Sequence, residues 1–311
     1  MAEDDNGAER ETHTPPEAAR TDPPRSRRGV VVILVVVAVV AAAVATALGL
    51  GGSGPSVAAA AVVRAATRAT LAASSSDLAL RGSVAVNGQT LTLSGSGALD
   101  FTQRTGEIHL TTTGSAASTT DDEVFAGDQV YVAFTSGSTS VSTLLPGKSW
   151  LALPLPAAAS PTSGPGGLVN VLAALQLLQS EGATVTSLGD SSVDGVAVTG
   201  YAVALPDSTL LAAARRAAAV EHLPPAEARV ALQAVRTMTM GLTVFVDGGG
   251  LLRRLDLTVS ATTNGTPLNE TLQIDLSNYG TPVSVLVPPA SEVATLAQFQ
   301  SALALPVHRS R

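Results

Sequence analysis

The residues Val30 to Leu50, VVVILVVVAVVAAAVATALGL, constrain this chain more than any others. The run has no charged residue and no proline, and a helix built from it has no polar face to offer water. At about 1.5 Å per residue, its 21 residues cover the roughly 30 Å hydrocarbon core of a bilayer. A helix satisfies its own backbone hydrogen bonds, which lipid cannot do for it. Arg20, Arg25, Arg27 and Arg28 lie upstream, and the first basic residue downstream is Arg64. Positively charged flanks stay on the cytoplasmic side. The expectation is a single-pass anchor in the cytoplasmic membrane, with the N-terminus inside and the main domain extracytoplasmic. A cleaved signal peptide is the competing reading, with Ala45-Thr46-Ala47 and Ala58-Ala59-Ala60 as small-residue sites. The 29-residue lead and the length of the run favour the anchor.

This stretch divides the chain. Residues 1–29 mix Glu and Asp with Arg, Pro and Thr and hold no apolar cluster, so burial cannot offset their ordering entropy. They read as a disordered cytoplasmic tail. Residues 51–56 (GGSGPS) read as a linker, 57–303 as the extracytoplasmic domain and 304–311 as a loose C-terminus. The net charge of −7 leaves no electrostatic case for a nucleic-acid partner. With no cysteine in the chain, disulfides, thiolate metal sites, a cysteine nucleophile and a lipidated cysteine are excluded. One lysine, Lys148, against 17 arginines points to a GC-rich genome.

Within the domain, Ser56 is placed to cap a helix over Val57–Ala73. From Asp77 the apolar period falls to two, as strands require. Leu78, Leu80, Val84 and Val86 share one face, Asn87-Gly88 is a hairpin turn, and Leu91, Leu93, Leu99 and Phe101 alternate with Thr and Ser. Strands follow through Ile108 and Leu110, over Thr119–Ala126 and Gln129–Thr135, and briefly after Trp150. Residues 156–167 read as a loop and Leu168–Gln179 as a helix. Val185–Gly189 and Val193–Leu205 form a hairpin that turns either at 190–192 or at Asp194-Gly195. Two helices, Asp207–Ala219 and Pro224–Arg236, precede strands Met238–Asp247, Leu251–Thr262 and Leu268–Tyr279. A last helix is expected over Ser291–Leu303. This order predicts an α+β fold: a large antiparallel sheet with one apolar face, covered by helices. The helices are rich in alanine and cover without filling space, which leaves room for an apolar cavity.

Catalytic chemistry is sparse, and the chain is expected not to be an enzyme and to take no cofactor. The histidines are His13, His109, His222 and His308, and no pair has metal-ligand spacing. No Gly-x-Ser-x-Gly elbow exists. Gly248-Gly249-Gly250 lies between strands, where no helix N-terminus can present it to phosphate. Asp121-Asp122-Glu123 reads as a hairpin loop of solvated charges rather than a cation site.

Asp128-Gln129-Val130-Tyr131-Val132, then Leu145-Pro146-Gly147-Lys148-Ser149-Trp150, then Val193 to Tyr201 (VDGVAVTGY), and finally Tyr279-Gly280-Thr281-Pro282-Val283 with Pro288-Pro289 occur in that order. In this order they resemble the actinobacterial LppX/LprG-type lipoproteins, relatives of the LolA lipoprotein carrier, over about 57–303. The resemblance implies an antiparallel half-barrel closed by helices around an apolar cavity that binds lipid or a lipidated molecule. Family members are often anchored through an acylated cysteine; here a transmembrane anchor stands in its place. The candidate cavity residues are Leu91, Leu93, Ile108, Leu110, Val132, Phe134, Leu242, Val244, Leu255 and Leu257. Periodicity alone favours the simpler reading, in which the same residues form a filled core; the resemblance brings the cavity level with it. The implied partners are a lipid and the membrane, or, as the alternative, a protein of the cell envelope held by a non-catalytic interaction domain.

Overall fold

The structure, a computed structural model, describes residues 55–304 apart from 87, 115–117, 155–170, 172, 173, 176, 180, 181, 221–224, 264 and 265. The anchor stretch 30–50, the tail and the loop 156–167 lie outside the described residues. Among those described, no helix is long and apolar enough to cross a membrane.

The first element is helix α1, Val57–Ala72. Ser56 caps it as expected: its backbone is extended and its Oγ accepts from the Ala59 N–H at 2.9 Å. Ala59, Ala60, Val63, Ala66, Thr67 and Thr70 form the buried stripe, spaced three and four apart. Thr67 Oγ1 returns its proton to the Val63 carbonyl at 2.8 Å, so the hydroxyl is not stranded in the core. Replacing Ser56 by Ala strands one N–H and is expected to cost about 1 kcal/mol, read as a lower midpoint in urea unfolding.

Strands β1 (Ser75–Val86), β2 (Gln89–Asp100), β3 (Thr105–Thr113), β4 (Ser118–Ala126) and β5 (Gln129–Ser136) then run as an antiparallel meander. Strand β6 (Thr139–Ser140) and a one-turn helix α2 (Val141–Leu144) follow; the sequence reading missed both. Their signal is local: the Ser140 and Thr143 side chains close a reciprocal capping box. Strand β7 is Trp150–Pro154.

The second meander comprises β8 (Thr184–Val193), β9 (Val196–Ala204), β10 (Thr239–Asp247), β11 (Leu252–Thr263) and β12 (Thr266–Ser277). The β8–β9 turn is at Asp194-Gly195, both with positive φ (48° and 82°), which settles the two readings in favour of the tighter turn. Helices α3 (Asp207–Val220) and α4 (Pro225–Thr237) are inserted between β9 and β10. In the partly described stretch ahead of β8, Val171, Leu175 and Leu178 are buried at helical spacing, as expected for the 168–179 helix.

One 13-stranded sheet results, ordered β13-β7-β5-β4-β3-β2-β1-β12-β11-β10-β9-β8, with β6 paired to β5 and β13 spanning Val293–Thr295. The two meanders are joined by β1 and β12, paired from Asp77↔Ser277 to Val86↔Leu268. The sheet is open and curls as a half-barrel under its helices. It is mixed rather than wholly antiparallel, because β13 pairs parallel to β7, Val293 beside Trp150. Here the expected helix over 291–303 is corrected. Residues Ala290–Glu292 form a 3₁₀ turn, Val293–Thr295 are strand, and helix α5 begins at Leu296 and ends at Ala304. The cause is the free edge of β7: the Ser149 N–H reaches the Glu292 carbonyl at 2.9 Å, and the chain continues that ladder before it coils.

At the other end of the sheet, the Ser56 N–H donates to the Val185 carbonyl on β8 at 3.0 Å. The far end of α1 is fastened too. Thr70 Oγ1 accepts from the Leu252 N–H at 3.0 Å, and the Tyr279 hydroxyl donates to the Leu252 carbonyl. Arg253 lies over the Tyr279 ring, 5.1 Å from its centroid. Asp247 closes the β10–β11 turn by accepting from the Gly249 and Leu251 N–H groups, each at 2.9 Å, and from Arg253 Nε at 2.6 Å.

Candidate functional site

The register places all ten candidate residues on one face of the sheet. One row crosses eight strands as Phe134, Asp121, Leu110, Gly95, Leu80, Ile274, Leu255 and Val244. A second contains Leu93, Gly82, Leu272, Leu257 and Leu242. Ile108 and Val132 flank Glu123 in a third, and Leu91 lies opposite Val84 in a fourth. Leu93, Ile108, Leu110, Val132, Leu242, Val244, Leu255 and Leu257 are buried. Phe134 is half-buried and meets Phe299 of α5 edge-on, with ring centroids 5.9 Å apart. Leu91 differs: it is 40 % exposed, so the face opens to solvent at that end of β2.

Close approach on this face depends on two glycines of β2. A Cβ on Gly97 would sit 2.0 Å from the Glu107 carbonyl oxygen, and one on Gly95 would sit 2.5 Å from Leu110 Cδ2. The side chains of β3 fold into the space that β2 leaves empty, and the sheet can bend inward there.

Three carboxylates lie on the same face, and sequence reasoning missed them. Asp121-Asp122-Glu123 is not a hairpin loop; it lies inside β4, so the residues alternate between faces. Asp122 points to the outer, polar face, where it pairs with His109 Nδ1, and both side chains are more than half exposed. His109 is therefore the solvated strand histidine expected, while His13, His222 and His308 lie outside the described residues. Asp121 points inward, and its pKa rises from 3.8 to about 6, through burial first and the Asp122 charge second, against a lowering by His109. Glu123 is buried at 3 % exposure, between Ile108 and Val132.

Glu270 is the third. It lies between Val84 and Val259 across the strands, and Leu268 and Leu272 flank it along β12. Its Oε2 is buried without a hydrogen-bond partner, and burial alone lifts its pKa from 4.5 to about 7. The signal was present in the sequence as a break in parity: Leu268, Glu270, Leu272 and Ile274 share one side of the strand.

The outer face is different. A depression of about 460 Å³ lies there, lined by the polar side chains of Arg81, Ser83, Asp256, Thr258, Thr271 and Gln273. Beside it, Asp275 accepts from Gln273 Nε2 at 2.8 Å and from Arg254 Nε, with Arg81 Nη1 at 3.5 Å. Asp256 Oδ1 is buried and has no partner. Burial raises the Asp256 pKa; Arg254 opposes that and Asp275 reinforces it.

The chain is similar to LprF. The crystal structure of LprF from Mycobacterium bovis aligns over 76 % of this chain and 99 % of that one, at 11 % identity and a TM-score of 0.39. A DUF1329 family protein from Desulfovibrio piger aligns over 75 % and 96 %, at 11 % identity and a TM-score of 0.27. Neither likeness transfers a ligand or an activity to this chain. No protein-family model matches the sequence, and no curated protein matches it significantly. Among the described residues, no group of three His, Cys, Asp or Glu side chains is gathered to hold a metal ion.

Proposed function

We propose that the chain is a membrane-anchored, extracytoplasmic lipid- or lipoprotein-binding protein that holds acyl chains between the apolar sheet face and its helices. In this reading 30–50 is the single-pass anchor, the N-terminus is cytoplasmic, and no catalysis is performed. One observation carries it: a single sheet face is mostly apolar across eight strands, interrupted by Asp121, Glu123 and Glu270, and opens to solvent at Leu91. The helix α1 that covers part of that face does so with small side chains, half of them alanine, which shield without projecting far into the space. The resemblance to the LppX/LprG-type lipoproteins supports the same reading. A hand-off component held at the membrane fits this chain better than a freely diffusing shuttle, because it has no cysteine to carry a lipid anchor.

The experiment is photolabelling in cells that express the full chain and take up a diazirine-bearing fatty acid. Adducts are expected on peptides from β2, β3, β10 and β11 as well as on 30–50. Adducts confined to 30–50 would overturn the reading. N-terminal sequencing of the mature protein separates anchor from cleaved signal in the same preparation. A second reading, a non-catalytic envelope interaction domain, draws support from the polar depression around Asp256; it predicts a stoichiometric protein partner and no strand adducts.

A further inference from the structure

Glu270 is the anomaly of the covered face. It stands at the centre of a row that is otherwise apolar: Leu91, Val84, Glu270, Val259, Met240. Only 6 % of Glu270 is exposed and its Oε2 has no hydrogen-bond partner. A buried carboxyl in that condition costs free energy that a leucine would not. One end of its row, Leu91, is open to solvent, and a single buried residue, Val84, separates it from Glu270.

We propose that Glu270 is the polar anchor for an acyl-chain ligand, its carboxyl hydrogen-bonding an uncharged ester linkage while the chains lie along the apolar face. This rests on the lipid-binding reading and names the ligand class for it. An amine headgroup would have to leave water for an apolar row, and ion pairs buried in that way repay the desolvation poorly. A hard cation needs six or more oxygens, and this row offers one carboxyl. A neutral acid facing a neutral ester avoids both costs, and the protonated carboxyl donates to the ester carbonyl.

The protonation of Glu270 then governs binding. Its row and the flanking positions Gly82, Leu257, Leu268 and Leu272 carry no titratable group. The helices packed on β11 are α1, with Arg64 and Arg68, and α4, with Arg229 and Arg236 among its described side chains. None of these charges contributes to the Glu270 shift, whose cause is burial alone. With a pKa of about 7, the acid form falls about tenfold between pH 6 and pH 8.

The test uses the full chain in phosphatidylcholine vesicles with a trace of diazirine-bearing diacylglycerol, and in parallel a diazirine-bearing alkane that has no ester. Diacylglycerol labelling of peptides around Val84–Leu91 and Leu268–Leu272 is expected to fall about tenfold from pH 6 to pH 8. Alkane labelling is expected to stay level, which a general loosening of the fold would not allow. Glu270→Gln keeps a donor at every pH, and its diacylglycerol labelling is expected to be the same at both. Diacylglycerol labelling of these strands that is flat in pH, or that falls equally in E270Q, overturns the anchor and leaves the lipid-binding reading standing. Labelling confined to 30–50 with both probes overturns the reading and the anchor together.

Discussion

Replacing Glu270 by Leu is expected to stabilise the lipid-free protein strongly at pH 8 and little at pH 4. The native carboxyl keeps its proton up to about pH 7, whereas in the unfolded chain it loses it near 4.5. Between those values the native state binds more protons than the unfolded state, so the wild-type loses stability as pH rises. Below about 4.5 both states are protonated and the term vanishes. Above 7 the full cost is present, about 3 kcal/mol at 1.36 kcal/mol per pKa unit. Leucine has no such term and fills a site bounded by Val84, Val259, Leu268 and Leu272. The difference in unfolding free energy between variant and wild-type is therefore expected to open from pH 4.5 to pH 7 and then level off. Urea titrations at a series of pH values measure it directly. A difference that does not change with pH would show that the Glu270 carboxyl is already satisfied in the folded chain.

Gly97→Val is expected to be the most damaging single substitution on the apolar face. The added Cβ falls 2.0 Å from the Glu107 carbonyl oxygen and 2.7 Å from Ile108 Cα. Both are backbone atoms of the paired strand, so no side-chain rotation relieves the contact; β2 and β3 must separate. Overpacking against yielding side chains costs about 1–3 kcal/mol, and a clash with backbone exceeds that range. Loss of cooperative unfolding or of soluble expression is the expected readout. Gly248→Ala is the matched control. Nothing lies within 4 Å of a Cβ there, and the change is expected to alter stability by about 0.5 kcal/mol or less. If Gly97→Val melts like the control, β2 and β3 do not approach as closely as the register implies.

Period and turn chemistry carried most of the local structure into view. Leu91, Leu93, Ile108 and Leu110 announce their shared face by alternation, and the long hairpins show themselves through Asn87-Gly88, Gly127-Asp128 and Asp194-Gly195. What alternation cannot announce is which strands meet. The β1–β12 ladder joins residues nearly two hundred positions apart, and nothing in either strand names its partner. Strand β13 was misread for a related reason. Val293 to Thr295 coil or extend according to whether an edge is free beside them, and that edge belongs to Trp150. The carboxylates escape a reading by composition because a run of charges looks like one solvated unit. A strand divides such a run between its two faces, so Asp122 meets water while Asp121 and Glu123 turn inward.

The hydrogen bond from Ser56 to Val185 gives the sheet a near end and a far end. Strand β8 is the last strand on its side, and the chain arrives there directly from 51–56. Six residues, fully extended, span at most about 20 Å. If 30–50 lies in the bilayer, as proposed, β8 would be leashed close to the lipid headgroups. The β7–β13 border lies eleven strand spacings away along the sheet order, about 50 Å if the sheet were flat and less as it curls. A molecule leaving the membrane would meet the β8–β10 side first. On the same proposal, the β5–β7 side, with Phe134 and Phe299, would be the part of the sheet farthest from the leash.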